Sequence, residues 1–376
     1  MSADTLPIRL VSVLPRRRHV SVAALTALAA VLNTSAVPGQ ELRSQSASAT
    51  AQKPPPAVAF FESQDPIEVV FTTNIGRIRG DKGDERPWRP ATIEYKDSAG
   101  KAVNVPLKAR TRGIWRLKRC DYPPMRLNFS GETSKGSIFR ELDKPKLVSY
   151  CQDRDSYEQY ILAEFQLYRV YQLLTPMSHK ARLLKFVYAD SGSGKVRAKR
   201  YGFIMEEPSA MAERLGGEIK EQKGALPGDL DPYQDALFGV FQYMIGNTDF
   251  SSYGLHNVEL FFTPDGVISP IAYDFDFAGV VDAGYAIPDE KLGIPSVRQR
   301  LFRGYCAGPA EFEKVFALFQ EKKSAIYALY SDPIGQLLDR GGVKSTLKYY
   351  DEFYDIIGNP RTAKRLITDA CIARPR

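Results

Sequence analysis

Short apolar segments alternate with turn residues between positions 66 and 150, and this pattern constrains the fold more than any other feature of the chain. PIEVVFTT (66–73) and VNVPLKART (103–111) have the alternation or the unbroken apolar run that is typical of strands. Further strands are predicted at 91–95, 124–130 and 144–151. We therefore expect a sheet-rich first half.

A long helix is predicted directly after these strands, at 156–174, and Thr-Pro ends it. Glu164 lies in the middle of the stripe that this helix would turn toward the core. A buried carboxylate needs a cation or a hydrogen-bond donor beside it, because an unpaired buried charge is very costly. The alternative is that Glu164 lies at the edge of the stripe and reaches solvent.

The second half predicts helices around one β-hairpin. Two strands, at 181–190 and 199–207, complete the sheet-rich part. Residues 257–277 predict a hairpin around the Asp-Gly turn TPDG. Helices are predicted from Asp231 onward, at 310–332 and around 347–357. The layout is α+β, with a sheet-rich part at 59–207 and a mainly helical part at 208–376.

The first forty residues are typical of a secretory signal peptide, because basic residues precede a short apolar run and then small residues. Cleavage is expected near Ala36 or Gln40, and a retained N-terminal anchor is the alternative. Residues 41–58 are rich in Ser, Ala and Pro, which predicts a disordered linker. No later segment is long and apolar enough to cross a membrane. The chain is therefore expected to be secreted or periplasmic.

Removing residues 1–40 takes away four arginines and one aspartate, so the mature chain has 47 basic and 43 acidic residues and a net charge of +4. This mild positive charge gives no reason to expect a nucleic-acid partner. The sequence leaves the oligomeric state undetermined.

Four cysteines follow the export signal, and an even number in an exported chain favours disulfides. Three pairings are possible. We expect Cys120–Cys151 and Cys306–Cys371, because each would join segments that are predicted neighbours in a sheet or in a helical bundle. Four unpaired, buried thiols are the alternative.

Small polar and acidic residues gather at the hairpin. Asp249 follows a predicted helix, Asn257 begins the first hairpin strand, and Asp274 and Asp276 lie at or just past the end of the return strand. The hairpin would bring Asn257 close to Asp274. Amide and carboxylate oxygens suit Mg²⁺ or Mn²⁺, so Asn257, Asp274 and Asp276 are the predicted metal ligands. Asp249 would then orient a nucleophile or accept its proton.

Such a division of roles is that of phosphoryl transfer, which also needs a lysine on the phosphates and a helical glutamate to hold that lysine. Lys146, or its neighbour Lys144, precedes the helix that carries Glu164, so a Lys146–Glu164 ion pair is predicted. Met205 and Glu206 follow a strand between the two halves, and an adenine could bind along their backbone. Two of these motifs also have a purely structural interpretation. NTD (247–249) could be an Asx turn, and YDFD (273–276) could be a strand with one surface face.

Several segments together resemble the CotH (spore coat protein H) atypical protein kinase-like family over about residues 60–300. They are RTRGIWRLKRCDYPPMRLNF, KPKLVSYC, the long helix, YGFIMEE, NTDFSSYGLHN and YDFD. The resemblance implies a two-lobed protein-kinase-like fold, with a sheet-rich N-lobe at 59–207, a mainly helical C-lobe at 208–376, ATP and a divalent metal. It gives Asp249 the catalytic role and Asn257 and Asp274 the metal-ligand roles.

The expected function is transfer of phosphate from ATP to a protein hydroxyl. The alternative is a weak or inactive kinase-like module that serves in cell-envelope or coat assembly. Three departures point that way: Asn257 follows Asp249 by eight residues instead of about five, no good GxGxxG is present, and FIMEE (203–207) places two acids where adenine would bind. A glycoside hydrolase using Asp249 and Asp274 is a third, weaker reading, since it gives Asn257 no part.

Overall fold

Seven strands close into a barrel, in the order β1-β2-β3-β4-β5-β7-β6. The computed structural model describes residues 56–373, with side chains from residue 59 onward. The predictions for the signal peptide at 1–40 and for residues 41–55 of the linker lie outside the described residues. The barrel strands are β1 (Ile67–Thr73), β2 (Arg89–Lys96), β3 (Ala102–Thr111), β4 (Met125–Phe129), β5 (Lys146–Val148), β6 (Ala181–Asp190) and β7 (Val196–Met205).

Closure of the barrel depends on one parallel pairing, between β1 and β6, while the other neighbours run antiparallel. Ile67 lies opposite Leu184 and Thr73 opposite Asp190, so the pairing covers all of β1. Side chains that alternate inward, such as those of Phe71 and Leu127, are fully buried.

The predicted two-lobed protein-kinase-like fold is therefore wrong. A closed seven-stranded barrel in a mixed α/β chain replaces an open N-lobe sheet above a helical C-lobe. One continuous hydrophobic cluster also runs from barrel residues such as Phe71 to helix residues such as Phe353. The expectation failed because four other barrel strands and a long helix lie between β1 and β6 in the sequence, and no local pattern encodes their pairing.

The remaining described elements include ten α-helices and a small sheet. The sheet has the order β10-β9-β8, formed by β8 (Glu218–Lys220), β9 (Val258–Phe262) and β10 (Ile268–Ala272). The helices are α1 (Pro56–Glu62), α2 (Ile75–Gly80), α3 (Trp115–Arg119), α4 (Gly131–Ser134), α5 (Asp155–Leu174), α6 (Pro208–Leu215), α7 (Pro232–Ile245), α8 (Pro309–Ala328), α9 (Arg340–Gly358) and α10 (Pro360–Ala363).

Local predictions of strands and helices were largely confirmed. Helix α5 ends at Leu174 as predicted, where Thr-Pro stops it. Helix α7 begins after Asp231, whose carboxylate accepts the Gln234 amide at 2.8 Å. The predicted hairpin forms from β9 and β10, but its return strand ends at Ala272, so YDFD follows β10.

Helix α5 lies between the barrel and α8, because it packs against β6 and β7 on one side and against α8 on another. Leu167 and Tyr168 of this helix are almost fully buried, and Glu164 is 1% exposed. The alternative that Glu164 reaches solvent is thus excluded. Helix α7 packs on β10, α8 and α9, and its end delivers Asp249 to the same region.

Both expected disulfides are present, Cys120–Cys151 and Cys306–Cys371, with Cα atoms 4.5 Å and 4.9 Å apart. Two disulfides are compatible with an extracellular location. Across residues 56–373, no helix combines the length and the apolar character needed to cross a bilayer.

Candidate functional site

A cleft of about 930 Å³ lies where β3, β4 and β5 face the loop after α7 and the β9–β10 hairpin. Basic side chains line its barrel side, and polar and acidic side chains line the other. The basic set is Arg110, Arg112, Arg116, Arg126 and Lys146, and the opposite set includes Asp249, His256, Asn257, Asp274 and Asp276. All four predicted polar residues of the hairpin region therefore face one cleft.

Asp249 is held by two neighbours from its own loop. Its Oδ1 lies 2.8 Å from His256 Nε2, and its Oδ2 accepts the Asn257 amide at 3.0 Å. The same Asn257 Nδ2 donates to the Asp249 carbonyl oxygen at 2.8 Å. The hydrogen bond to Asp249 raises the pKa of His256, which favours the imidazolium form beside that carboxylate.

The ends of the hairpin bring Asn257 beside the YDFD segment. The ladder continues one step past β10, because the Tyr273 amide donates to the Asn257 carbonyl at 3.2 Å. Asn257 and Asp274 both have left-handed backbones, with φ of 53° and 63°. Such conformations are costly for most residues and are concentrated at functional sites.

Asn257 and Asp274 each offer uncommitted oxygens to the cleft. Both amide hydrogens of Asn257 point at Asp249, which leaves its Oδ1 without a donor within residues 56–373. Asp274 uses its backbone amide to donate to the Tyr168 hydroxyl at 3.0 Å, and its carboxylate accepts no hydrogen bond from any described residue. These oxygens are of the hard type that Mg²⁺ and Mn²⁺ prefer.

Asp276 is placed differently from the other two predicted ligands. It is 5% exposed, its Oδ2 accepts the Tyr285 hydroxyl at 3.1 Å, and Arg116 Nη1 lies 4.0 Å away. Burial and the charge of Asp274 raise the pKa of Asp276 to about 7. No three His, Cys, Asp or Glu side chains of the described part converge as a metal-binding group. The donor set that fits a cation is thus one amide and one carboxylate, completed by water or phosphate oxygens, as is common for Mg²⁺.

Three cations form a row across adjacent barrel strands. Arg110 on β3 lies directly opposite Arg126 on β4, and Arg126 lies opposite Lys146 on β5. Arg112 points to the same face as Arg110, since side chains alternate along an extended chain. We call Arg110, Arg126 and Lys146 the basic row. Like charges directly opposite one another destabilise a sheet, so such a row needs a compensating anion.

The basic row is only partly compensated within the described residues. The Arg110 guanidinium lies 4.5 Å from the ring centroid of Trp88. Lys146 Nζ lies 3.8 Å from Glu259 Oε1 and 4.2 Å from the Tyr273 ring centroid. Arg126 makes no ion pair or side-chain hydrogen bond within residues 56–373. Burial lowers the pKa of Lys146, and Glu259 opposes this shift.

The predicted Lys146–Glu164 ion pair is not formed. Glu259 on β9 takes the place of Glu164 beside Lys146, and it also lies 2.9 Å from His179 Nε2. Both carboxyl oxygens of Glu164 are buried without a hydrogen-bond partner among the described residues. Burial and the charges of Asp276 and Asp274 raise the pKa of Glu164 well above its usual value.

Met205 and Glu206, predicted as an adenine site, do not line the cleft. Both are 2% exposed. The Glu206 backbone is paired with Lys180 and His179, and its carboxylate binds Arg214 at 2.8 Å. Their polar groups are therefore already satisfied by the fold.

Sequence reasoning missed Arg110, Arg126 and Glu259 as parts of the site. The two arginines lie on neighbouring predicted strands, so the correct register of β3 and β4 would have shown that they face each other. Glu259 lies on β9, and its contact with Lys146 joins two different sheets, which no local sequence pattern indicates. The chain matches no family model and none of the curated proteins with which it was compared, so its resemblance to a kinase-like family stays a prediction.

Proposed function

We propose that this cleft transfers a phosphoryl group from a nucleoside triphosphate such as ATP, with Mg²⁺ or Mn²⁺, to a hydroxyl group of a protein substrate. One observation carries the proposal: the basic row faces two uncommitted oxygen ligands across a single cleft. Proteins that bind polyphosphates with a divalent cation need both halves of this arrangement.

The basic row suits a polyanion better than a single carboxylate. Neighbouring strands lie about 4.8 Å apart, so three positive charges are presented over about 10 Å. Arg112 extends the positive surface, and its guanidinium makes no hydrogen bond within residues 56–373. Arginine recognises phosphate through paired, charge-assisted hydrogen bonds.

Asn257 and Asp274 would hold the divalent cation through Asn257 Oδ1 and the Asp274 carboxylate. A bound cation would neutralise charge that develops on the phosphate oxygens during transfer. The left-handed backbones of both residues fix where these oxygens point. Asp276 would contribute through its charge, since Tyr285 and Arg116 already contact its carboxylate.

Asp249 would accept the proton of the attacking hydroxyl. A general base needs a fixed orientation, and His256 and Asn257 supply it through their contacts with the two carboxylate oxygens of Asp249. The Asp249 side chain is 39% exposed, so a protein hydroxyl can approach it. The reaction moves the terminal phosphoryl group to the hydroxyl oxygen, with the nucleoside diphosphate as the leaving group.

We further propose that the chain acts outside the cytoplasm after removal of its signal peptide. The two disulfides and the basic, apolar N-terminal sequence support this location. The mature N-terminus of the exported protein should lie near Ala36 or Gln40. An intact N-terminus on exported material would argue for a retained anchor instead.

The decisive experiment measures metal-dependent transfer of labelled phosphate to protein acceptors by the mature chain and by Asp249→Ala and Asp249→Asn. We expect both variants to lose transfer while keeping the melting temperature within a few degrees. Asp282→Asn, an exposed aspartate outside the cleft, is the matched control and should keep full transfer.

Equal transfer by the Asp249 variants would reject the catalytic role. Absence of any shift in melting temperature with ATP and Mg²⁺ or Mn²⁺ would reject nucleotide binding, because binding at a hundredfold over Kd stabilises by about 2.7 kcal/mol. Nucleotide binding without transfer would favour the inactive-module alternative.

A further inference from the structure

A second cavity, of about 810 Å³, is lined by residues 250–253, the segment directly after Asp249. Aromatic residues contribute to its walls, among them Phe238 of α7, Phe250 and Phe302. Tyr305 also lines it and donates its hydroxyl to the Ala225 carbonyl at 3.2 Å. No part of the proposed phosphoryl transfer uses this cavity.

Asp235 is the one carboxylate among the residues that line this cavity. It lies in the first turn of α7 and is 4% exposed. Its carboxylate accepts no hydrogen bond and lies in no ion pair within residues 56–373. Buried carboxylates in proteins are almost always paired or hydrogen-bonded, since leaving one unpaired is costly. Asp235 therefore has no hydrogen-bond or ion-pair partner among the described residues.

The charged groups around Asp235 are one carboxylate and two cations, and none of them forms an ion pair with it within residues 56–373. Burial and the charge of Asp231 raise the pKa of Asp235 to about 7. Burial and the charge of Asp235 in turn raise the pKa of Tyr305, which lines the same cavity. The two cations that line the cavity are Lys291 and Arg303, and Arg303 donates to the carbonyl oxygens of Thr248 and Phe250 instead.

We propose that this cavity binds a primary ammonium group on an apolar body, with Asp235 as its counterion and the aromatic rings as its walls. An ammonium group supplies the three donors and the positive charge that Asp235 lacks. Aromatic faces add attraction for a cation that has left water. The apolar body of the ligand would lie against Tyr253, the most exposed aromatic side chain of the lining at 49%.

The test compares 2-phenylethylamine with its neutral analogue 2-phenylethanol by calorimetry on the full mature chain. We expect the amine to bind and the alcohol to bind about ten- to a hundredfold more weakly, because only the amine makes a charge-assisted hydrogen bond. Asp235→Asn should weaken amine binding by a similar factor and leave alcohol binding unchanged. Asp231→Asn, the matched control, removes one charge from the same helix start while keeping a good N-cap, and should keep amine affinity.

Amine affinity should also fall by about tenfold per pH unit below about pH 7, because Asp235 must lose its proton to pair with the ammonium group. The other titratable or charged groups around it are Asp231, Lys291, Arg303 and Tyr305, and the dependence should disappear in Asp235→Asn. The lysine derivative Nα-acetyl-lysine methylamide distinguishes the sources of the ligand, since tighter binding than 2-phenylethylamine indicates a lysine side chain and weaker binding a free amine.

Equal affinity for amine and alcohol would overturn the proposal, as would unchanged amine binding in Asp235→Asn. Failure of the unmodified protein to bind either amine would overturn it as well. None of these measurements involves nucleotide or phosphate transfer, so their outcome is independent of the function proposed for the cleft.

Discussion

Replacing Arg126 by methionine should stabilise the free protein and weaken its binding to polyphosphate. Arg126 is the middle member of the basic row and lies directly opposite both Arg110 and Lys146. Methionine keeps most of the aliphatic stem and removes only the charge. The change therefore isolates the repulsion within the row.

The size of the effect follows from the register. A cross-strand pair contributes about 0.2–1 kcal/mol, and like charges reverse the sign, so two repulsive pairs amount to about 0.4–2 kcal/mol. Salt screens such pairs, because the Debye length shrinks from about 30 Å at 0.01 M salt to about 3 Å at 1 M. We expect the gain in the free energy of unfolding to be largest at low salt and to vanish at high salt.

Chemical denaturation at both salt concentrations, with and without tripolyphosphate, measures these effects. Lys108→Met is the matched control, since Lys108 lies on β3 opposite Pro90 and Asn128 and has no cation across from it. Its effect should stay within about 0.5 kcal/mol at either salt concentration. Tripolyphosphate should stabilise the unmodified protein and the control more than Arg126→Met.

Two results would refute this reasoning. A lower stability of Arg126→Met than of the unmodified protein at low salt would mean that groups of the fold already compensate the row. Alternatively, both variants could respond equally to tripolyphosphate, in which case the anion binds elsewhere.

Two further predictions concern stability. Replacing both cysteines of Cys306–Cys371 by alanine should lower the free energy of unfolding by about 4.3 kcal/mol, and the same change at Cys120–Cys151 by about 3.7 kcal/mol. The difference arises because the closed loops span 65 and 31 residues and the entropy of an open loop grows with its length. Denaturant titration checks this order, and a larger loss for the shorter loop would contradict it. Glu164→Gln should change the pH dependence of unfolding. Because the pKa of Glu164 is raised in the fold, the folded state holds a proton that the unfolded state releases above about pH 4.3. The free energy of unfolding of the native protein therefore falls by up to about 1.4 kcal/mol per pH unit between about pH 4.3 and the folded pKa. The variant lacks this loss and should gain on the native protein by up to about 2.7 kcal/mol from pH 5 to pH 7, whereas parallel curves would show that Glu164 is already ionised in the fold.

Elements that local chemistry determines were predictable from the sequence. The ends of α5 and α7 follow from Thr-Pro and from the Asp231 cap, and the β9–β10 hairpin follows from its Asp-Gly turn. The hairpin alone was enough to place Asn257 beside the segment that carries Asp274. The pairing of cysteines was also within reach, since each pair joins predicted neighbours.

Features that depend on distant pairings were not predictable. Barrel closure requires β1 to find β6, and the sequence of neither strand specifies the other. The same limitation explains the error at Lys146, whose partner Glu259 comes from a different sheet. Met205 and Glu206 were chosen from their place after a strand, but burial against Lys180 and Arg214 was a tertiary outcome.

The left-handed backbones at Asn257 and Asp274 limit which residue types these two positions tolerate, whatever the chemistry of the site. Only glycine, asparagine and aspartate adopt such φ values at low cost, and two of these three carry an oxygen at the end of a short side chain. Random substitution that merely preserves folding would thus return oxygen-bearing residues here far more often than elsewhere. The side chains that these two backbone positions admit most readily are therefore also ones that a divalent cation would accept as ligands.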